Sequence, residues 1–165
     1  MQFYWDASAL AKRYLLEQGS EVALALFNLE AVSMFASLMG YAETTAILRR
    51  KFNQRLIGLR EFNLSRSFLE REVLLDPEFE LFSVTDDDLL DGILLTDQHN
   101  LNTADAAILA GFLRHTRTAP VSATPVLVAS DRRLLRAAAA EGMRTLDPAS
   151  VSVTDPPAAL AALQT

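Results

Sequence analysis

Phe3-Tyr4-Trp5-Asp6-Ala7-Ser8-Ala9-Leu10-Ala11-Lys12 brings three bulky apolar residues, then one carboxylate, then a helix-forming run. Three apolar residues in a row suit a strand covered on both faces, which is the habit of parallel sheets. A helix over 8–16 then carries the chain back along the sheet. Ligands of open parallel sheets collect beyond the carboxyl ends of the strands, so Asp6 stands where chemistry is usually placed. It, or Ser8, is equally suited to cap the next helix, and this stretch alone does not decide between the roles.

The alternation continues along the chain. Residues 20–29 read as a helix opened by a serine, 32–36 as a second strand, and Ser37 as the start of a long helix through Glu43 to about Phe52. Residues 53–77 read as a second helical hairpin that stops at Asp76-Pro77. A third strand is expected over 79–84. Thr85 caps a helix to about Thr96, and Thr103 caps another to Leu113. A fourth strand over 126–129, a last helix over 131–141 ended by Gly142, and a fifth strand over 143–146 complete an α/β pattern. Beyond Asp147-Pro148 the composition turns to Ala, Pro, Ser and Thr. Residues 1–148 are therefore read as one domain and 149–165 as a weakly ordered tail or a short docking helix.

The 165 residues suffice for one domain, and 50% hydrophobic with 22% charged residues excludes a disordered or low-complexity chain. No cysteine occurs, and only His99 and His115 are available as nitrogen ligands, which removes disulfides and the usual zinc sites. Neither a signal peptide nor a spanning helix is legible, and a cytoplasmic location is expected. The net charge of −6 opposes nucleic-acid binding through bulk positive potential. A binder of phosphate with this charge needs a metal ion or a local basic rim.

Three further acids stand in unusual places. Glu43 has Met39, Gly40, Ala46 and Ile47 as its helical neighbours, an apolar stripe where an ionised carboxylate is costly. Asp105 follows Thr103 with Ile108 and Leu109 ahead of it on the same face, although a first-turn acid also favours the helix dipole by roughly 0.3 to 1 kcal/mol. Asp131 repeats the setting of Asp6, just beyond the apolar run 126–129, with Ser130 competing as the cap. A parallel sheet can bring all four to one edge. At about 5 Å and an effective dielectric of about 20, each carboxylate pair repels by roughly 3 kcal/mol, and an all-oxygen set of this kind suits Mg²⁺ or Mn²⁺.

Asp6-Ala7-Ser8-Ala9-Leu10-Ala11-Lys12, the element from Ser37 to Glu43, Thr103-Ala104-Asp105-Ala106 and Ala129-Ser130-Asp131-Arg132-Arg133-Leu134 resemble the ordered acidic motifs of PIN-domain nucleases, VapC-like toxins in particular. The resemblance spans roughly residues 3–148. It implies an α/β/α sandwich around a central parallel sheet, a metal-dependent ribonuclease, a homodimer, and neutralisation by a small antitoxin. By motif match Asp6, Glu43, Asp105 and Asp131 take the catalytic, metal-binding positions, and Ser8 and Ser130 the small hydroxyl positions beside them. The histidine often found just after the third aspartate is absent, since Ala107 and Ile108 stand there.

Other residues invite weaker readings. Asp86-Asp87-Asp88 is the densest acidic run, but it follows Thr85 at a helix start, where acids complement the dipole and stay in water. Lys12 and Arg13, one turn beyond Asp6, are placed either to reach a substrate phosphate or to form the outer face of the first helix. His99 and His115 read as surface residues, and Arg114, His115 and Arg117 as a small basic loop with a possible RNA contact. Phe62, Leu64, Phe68 and Leu69 offer either core or a groove for a partner helix. Two rival functions remain open on sequence grounds: a Mg²⁺-dependent phosphatase using Asp6 as a covalent nucleophile, and a non-catalytic interaction module whose acids are only caps.

Overall fold

A computed structural model describes residues 1–119 and 123–151 of the chain. Five short strands form the centre: β1 (Gln2–Trp5), β2 (Ser33–Ser37), β3 (Phe79–Phe82), β4 (Pro125–Val128) and β5 (Arg144–Leu146). They pair in the order β3-β2-β1-β4-β5, and every pairing is parallel. The two-residue pleat sends alternate side chains to opposite faces. Phe3 and Trp5 join one core and Tyr4 the other, and Val126 and Val128 are likewise divided from Leu127. All six are fully buried, each worth roughly 1.5 to 3 kcal/mol of transfer free energy.

Helices cover both faces. On the first lie α1 (Ala7–Leu10, continued by a 3₁₀ turn at Ala11–Arg13), α2 (Ser20–Phe27), α3 (Leu38–Asn53) and α4 (Leu59–Leu69, continued by a π turn at Glu70–Leu74). They supply Leu10, Leu26, Leu48, Phe62 and Leu69 to the Phe3 core. On the second face lie α5 (Asp86–His99), α6 (Thr103–Thr118) and α7 (Arg132–Ala140), with Leu95, Ile108, Phe112 and Leu134 in the Tyr4 core. Gly92 lets α5 approach α6 closely, because a Cβ at that position would lie 3.0 Å from the Ala107 backbone nitrogen. The expected α/β/α sandwich around a parallel sheet is what forms.

Several local expectations are corrected. Of the two residues considered for α1, Asp6 is the cap, while α2 is capped by Gly19 rather than Ser20, whose hydroxyl instead accepts from the Glu17 backbone nitrogen and donates to the Leu15 carbonyl. No second hairpin occupies 53–77. Arg55 adopts a left-handed φ of 59° and Gly58 caps α4, so a turn replaces the first half, and Phe62, Ser65 and Leu69 then share the buried face of one helix. Asn102 rather than Thr103 caps α6, which runs on to Thr118 and absorbs the basic loop expected at Arg114, His115 and Arg117.

Of the expected tail, residues 152–165 lie outside the described residues. Residues 149–151 do not hang free: the Gln18 amide donates to the Ala149 carbonyl at 2.9 Å, and Val151 packs on the Phe3 core. Among the described residues no helix is long and apolar enough to cross a membrane.

Candidate active site

The chain builds outward from β1 through β2 to β3, then crosses back and places β4 on the other side of β1. Strand order therefore reverses between β1 and β4, and in open α/β sheets the crevice at such a reversal is where ligands bind. Asp6 immediately follows β1. Ala129, Ser130 and Asp131 follow β4. Glu43 reaches the same place from the second turn of α3, which Ser37 launches from the end of β2, and Asp105 from the first turn of α6. Asp6, Glu43, Asp105 and Asp131 line one open cleft of about 390 Å³, together with Ser8, Arg50 and Asn102.

The strand-end acids cap helices and also line the cleft. Asp6 caps α1 by accepting the Ser8 backbone N–H at 2.8 Å and the Ser8 hydroxyl. Asp131 caps α7 by accepting from the backbone nitrogens of Arg133 at 2.7 Å and Leu134 at 3.1 Å. These bonds end on Oδ2 of Asp6 and Oδ1 of Asp131, so capping engages one oxygen of each carboxylate. Asp105 accepts the Asn102 side-chain amide at 2.7 Å, while Asn102 itself caps α6 through the Asp105 N–H.

The carboxylates feel one another. Burial first, and then the charge of Asp131, hold the Asp6 carboxyl above the ordinary aspartate range despite its hydrogen bonds to Ser8. Burial and the charges of Asp6 and Asp105 raise Glu43, and burial and the charges of Asp6 and Asp131 raise Asp105. Each pair of acids that repels in this way penalises the ionised state, and a cation bound among them would remove the penalty. The donors are all oxygen, as a hard divalent ion requires. Among the described residues no three acidic or imidazole side chains are gathered tightly enough to hold an ion in their present rotamers.

Ser8 and Ser130 lock the two strand ends together. The Ser130 backbone nitrogen donates to the Ser8 hydroxyl at 2.8 Å, and the Ser130 hydroxyl donates to Asp147 at 2.8 Å. Ser130 thus braces the β1 and β4 termini rather than lining the cleft, whereas Ser8 does both.

Lys12 and Arg13 are the clear correction, for neither lines the cleft. Lys12 is buried and bonds to Glu17 at 3.1 Å and to the Gln18 carbonyl at 3.0 Å. Arg13 pairs with Glu72 at 3.1 Å and lies against the rings of Tyr14 and Phe27. Their charges are paired within the fold, Lys12 with Glu17 and Arg13 with Glu72. Arg50 lines the cleft instead, a residue the sequence reading missed, and Arg133 lies near enough to Asp105 for its charge to act on that carboxyl. Glu43, Ile47 and Arg50 stand four and three residues apart on α3, so helical spacing from Glu43 was the available signal.

The acidic run on α5 divides. Asp86 and Asp87 are exposed as expected, but Asp88 is 1% exposed and pairs with Arg114, which overturns its reading as solvated. His115 is no free surface residue either, since its ring packs against Phe82 at 4.9 Å and Phe35 at 5.5 Å. His99 meets Glu141 at 2.7 Å.

No protein-family model matches the sequence, and no curated protein matches it either. Solved structures do. A Mycobacterium tuberculosis protein, VapC20, described as a sarcin-ricin loop cleaving toxin, superposes with a TM-score of 0.62 over 86% of this chain and 95% of its own, at 16% identity. PAE2754 from Pyrobaculum aerophilum superposes with a TM-score of 0.60 over 98% and 96%, at 18% identity. A toxin-antitoxin complex from Klebsiella pneumoniae contains a chain that superposes with a TM-score of 0.57 over 90% and 98%, at 15% identity. At such identities the likeness is one of fold, and it extends over nearly the whole of each chain. With its all-parallel sheet, the strand reversal beside β1 and acids at that reversal, this chain has the fold of a VapC-like PIN domain.

Proposed function

We propose that this chain is a Mg²⁺- or Mn²⁺-dependent endoribonuclease and the toxin of a toxin-antitoxin pair, acting in the cytoplasm. One observation carries the reading: Asp6, Glu43, Asp105 and Asp131 come from four separate segments to a single cleft at the strand reversal. A set of helix caps has no reason to share a cleft. Asp6, Asp105 and Asp131 would hold the ion, and Glu43 would ligate it directly or through water. The bound cation supplies charge neutralisation at a phosphoryl oxygen and activation of the attacking water. The chain's own acids orient and deprotonate that water, Ser8 fixes the rotamer of Asp6, and Arg50 meets a phosphate of the RNA at the rim. The phosphatase reading is not favoured, because Ser8 rather than a second acid stands beside Asp6 and is committed to hydrogen bonds with Asp6 and Ser130.

Purified chain is expected to cut a mixed RNA pool with Mg²⁺ or Mn²⁺ and to stop in excess EDTA, and the complex with its antitoxin is expected to leave the pool intact. Cleavage that persists undiminished in EDTA would sink the metal reading. An antitoxin segment is proposed to lie in the groove beside α4. There Leu64 and Phe68 are exposed, whereas Phe62 and Leu69, also considered for that surface, are core.

The proposed homodimer is supported by α5, whose outer face presents Leu89, Leu90, Ile93 and Leu94, the last three 59% to 63% exposed. Apolar residues one turn apart on a solvent-facing helix are costly in a monomer. Leu90→Glu with Ile93→Glu is expected to halve the mass measured by light scattering without changing the circular dichroism. A monomer before the substitutions would refute the dimer.

A further inference from the structure

A phosphate binder of net charge −6 needs a local basic rim, and Lys12 and Arg13 do not supply one. Residues 49–66 do. They carry Arg49, Arg50, Lys51, Arg55, Arg60 and Arg66 against a single acid, Glu61, in a chain that has 21 acids to 15 basic residues. Positive charge is therefore concentrated on the end of α3, the turn after it and α4, and it begins at the cleft, which Arg50 lines.

Two of these arginines are held in place. The Arg49 guanidinium lies 4.4 Å from the centre of the Phe62 ring and 5.9 Å from that of Phe52, and the Arg66 guanidinium lies 5.8 Å from the Phe62 centre. Phe62 is buried and stacks on Phe52 at 5.0 Å, so both cations stand against one fixed ring. Lys51 pairs with Glu17, but among the described residues none of Arg49, Arg50 and Arg66 forms an ion pair. Aromatic support orders a long side chain before a ligand arrives, which lowers the entropic cost of the contact it then makes.

The route from the cleft to this pair is short. Ala46 lines the cleft and stands three residues before Arg49 and four before Arg50, so it adjoins both on the helix surface. Its side chain ends at Cβ, and so does that of exposed Ala42 one turn earlier, which leaves a low strip across α3. Leu64 and Phe68, the exposed residues of the groove offered to the antitoxin, leave α4 on the side away from Phe62. Continuity with the cleft favours RNA as the occupant over an acidic protein. Guanidinium groups engage phosphate oxygens through paired hydrogen bonds and also give unstacked bases a flat surface.

We propose that Arg49 and Arg66 form a second contact for single-stranded RNA, holding its phosphates where the strand leaves the cleft past Arg50. The choice of RNA rests on the ribonuclease reading.

Binding is measured apart from cleavage, by fluorescence anisotropy of an end-labelled, mixed-sequence single-stranded RNA in EDTA. The parent is compared with Arg49→Gln combined with Arg66→Gln, and with a control of equal charge, Arg117→Gln combined with Arg144→Gln. Arg117 stands in the last turn of α6 and Arg144 at the start of β5, both exposed and away from the cleft. Loss of Arg49 and Arg66 is expected to weaken binding about tenfold and to flatten the slope of log K against log salt by about 1.4, as for two phosphate contacts on a single strand. The control is expected to change binding less than about twofold. Unchanged binding in a chain that still cuts RNA overturns the second contact alone. An equal loss in the control also overturns it, by reducing the effect to net charge. Intact RNA binding with lost neutralisation by an acidic partner overturns it as well and gives the face to protein. The expected slopes in a chain that never cuts RNA with Mg²⁺ or Mn²⁺ would defeat the ribonuclease reading and leave the contact standing. Arg66→Gln alone, expected to flatten the slope by about 0.7, decides the matter if the double variant does not fold.

Discussion

Asp6→Asn, Asp105→Asn and Asp131→Asn are each expected to lower the proposed metal-dependent RNA cleavage by about a hundredfold or more, and Asp87→Asn is expected to leave it unchanged. The asparagine series is informative because of what it keeps. Asn caps a helix about as well as Asp, so Asp6→Asn and Asp131→Asn retain the bonds to residues 8, 133 and 134 and remove only a charge. At Asp105 the cap belongs to Asn102, and the substitution spares it as well. Without metal the variants should melt no lower than the parent, because taking one charge from a crowded cleft relieves repulsion. They should also lose the rise in Tm that Mg²⁺ or Mn²⁺ gives the parent, since less negative charge remains to bind the ion. Acids that serve only as caps give another pattern: no change in cleavage and no metal-dependent Tm in any variant. Full activity in Asp105→Asn would defeat the assignment of the site.

Asp6 and Asp131 stand out in the sequence because each puts a charge where an apolar run meets a helix start, and Asp105 because Ile108 and Leu109 follow it on the same helix face. Glu43 was legible because its helical neighbours are all uncharged. The strands were legible too, since the buried three- and four-residue runs have no other use. What stayed hidden depended on partners distant in sequence. Lys12 and Arg13 look like a basic rim until Glu17 and Glu72 are seen beside them, 5 and 59 residues away. Residues 53–77 carry enough apolar side chains for two helices, and only the left-handed turn at Arg55 reveals that α3 supplies the second arm of the hairpin. Arg50 was within reach, because α3 was correctly read as a helix and its seven-residue offset from Glu43 was never followed.

Asp88 is the residue whose reading changed most, and it sets the largest expected stability effect. Its carboxylate accepts Arg114 Nε at 2.7 Å and Nη2 at 2.8 Å, and both the Thr85 backbone nitrogen, at 2.8 Å, and the Thr85 hydroxyl, at 2.9 Å. The Thr85 hydroxyl in turn accepts the Asp88 N–H and completes a capping box. Asp88→Ala removes the bidentate pair and half of the cap together, at a cost of about 3 kcal/mol, which lowers Tm by roughly 6 to 12 °C in a chain of this size. Cleavage at 20 °C should be untouched, since Asp88 lies on α5 and away from the cleft. The pH dependence follows from the same bonds. Arg114 above all, and then the Thr85 bonds, outweigh burial and hold the Asp88 carboxyl down at about 2, below the roughly 3.9 of an unfolded aspartate. A depressed folded pKa stabilises fully above the unfolded value and loses that contribution as pH falls through the folded one, here from about pH 4 to about pH 2. The Tm gap between parent and Asp88→Ala should therefore hold constant from pH 7 to pH 5 and narrow below pH 4. A gap as wide at pH 2 as at pH 7 would mean that packing, and not the charged pair, makes Asp88 matter.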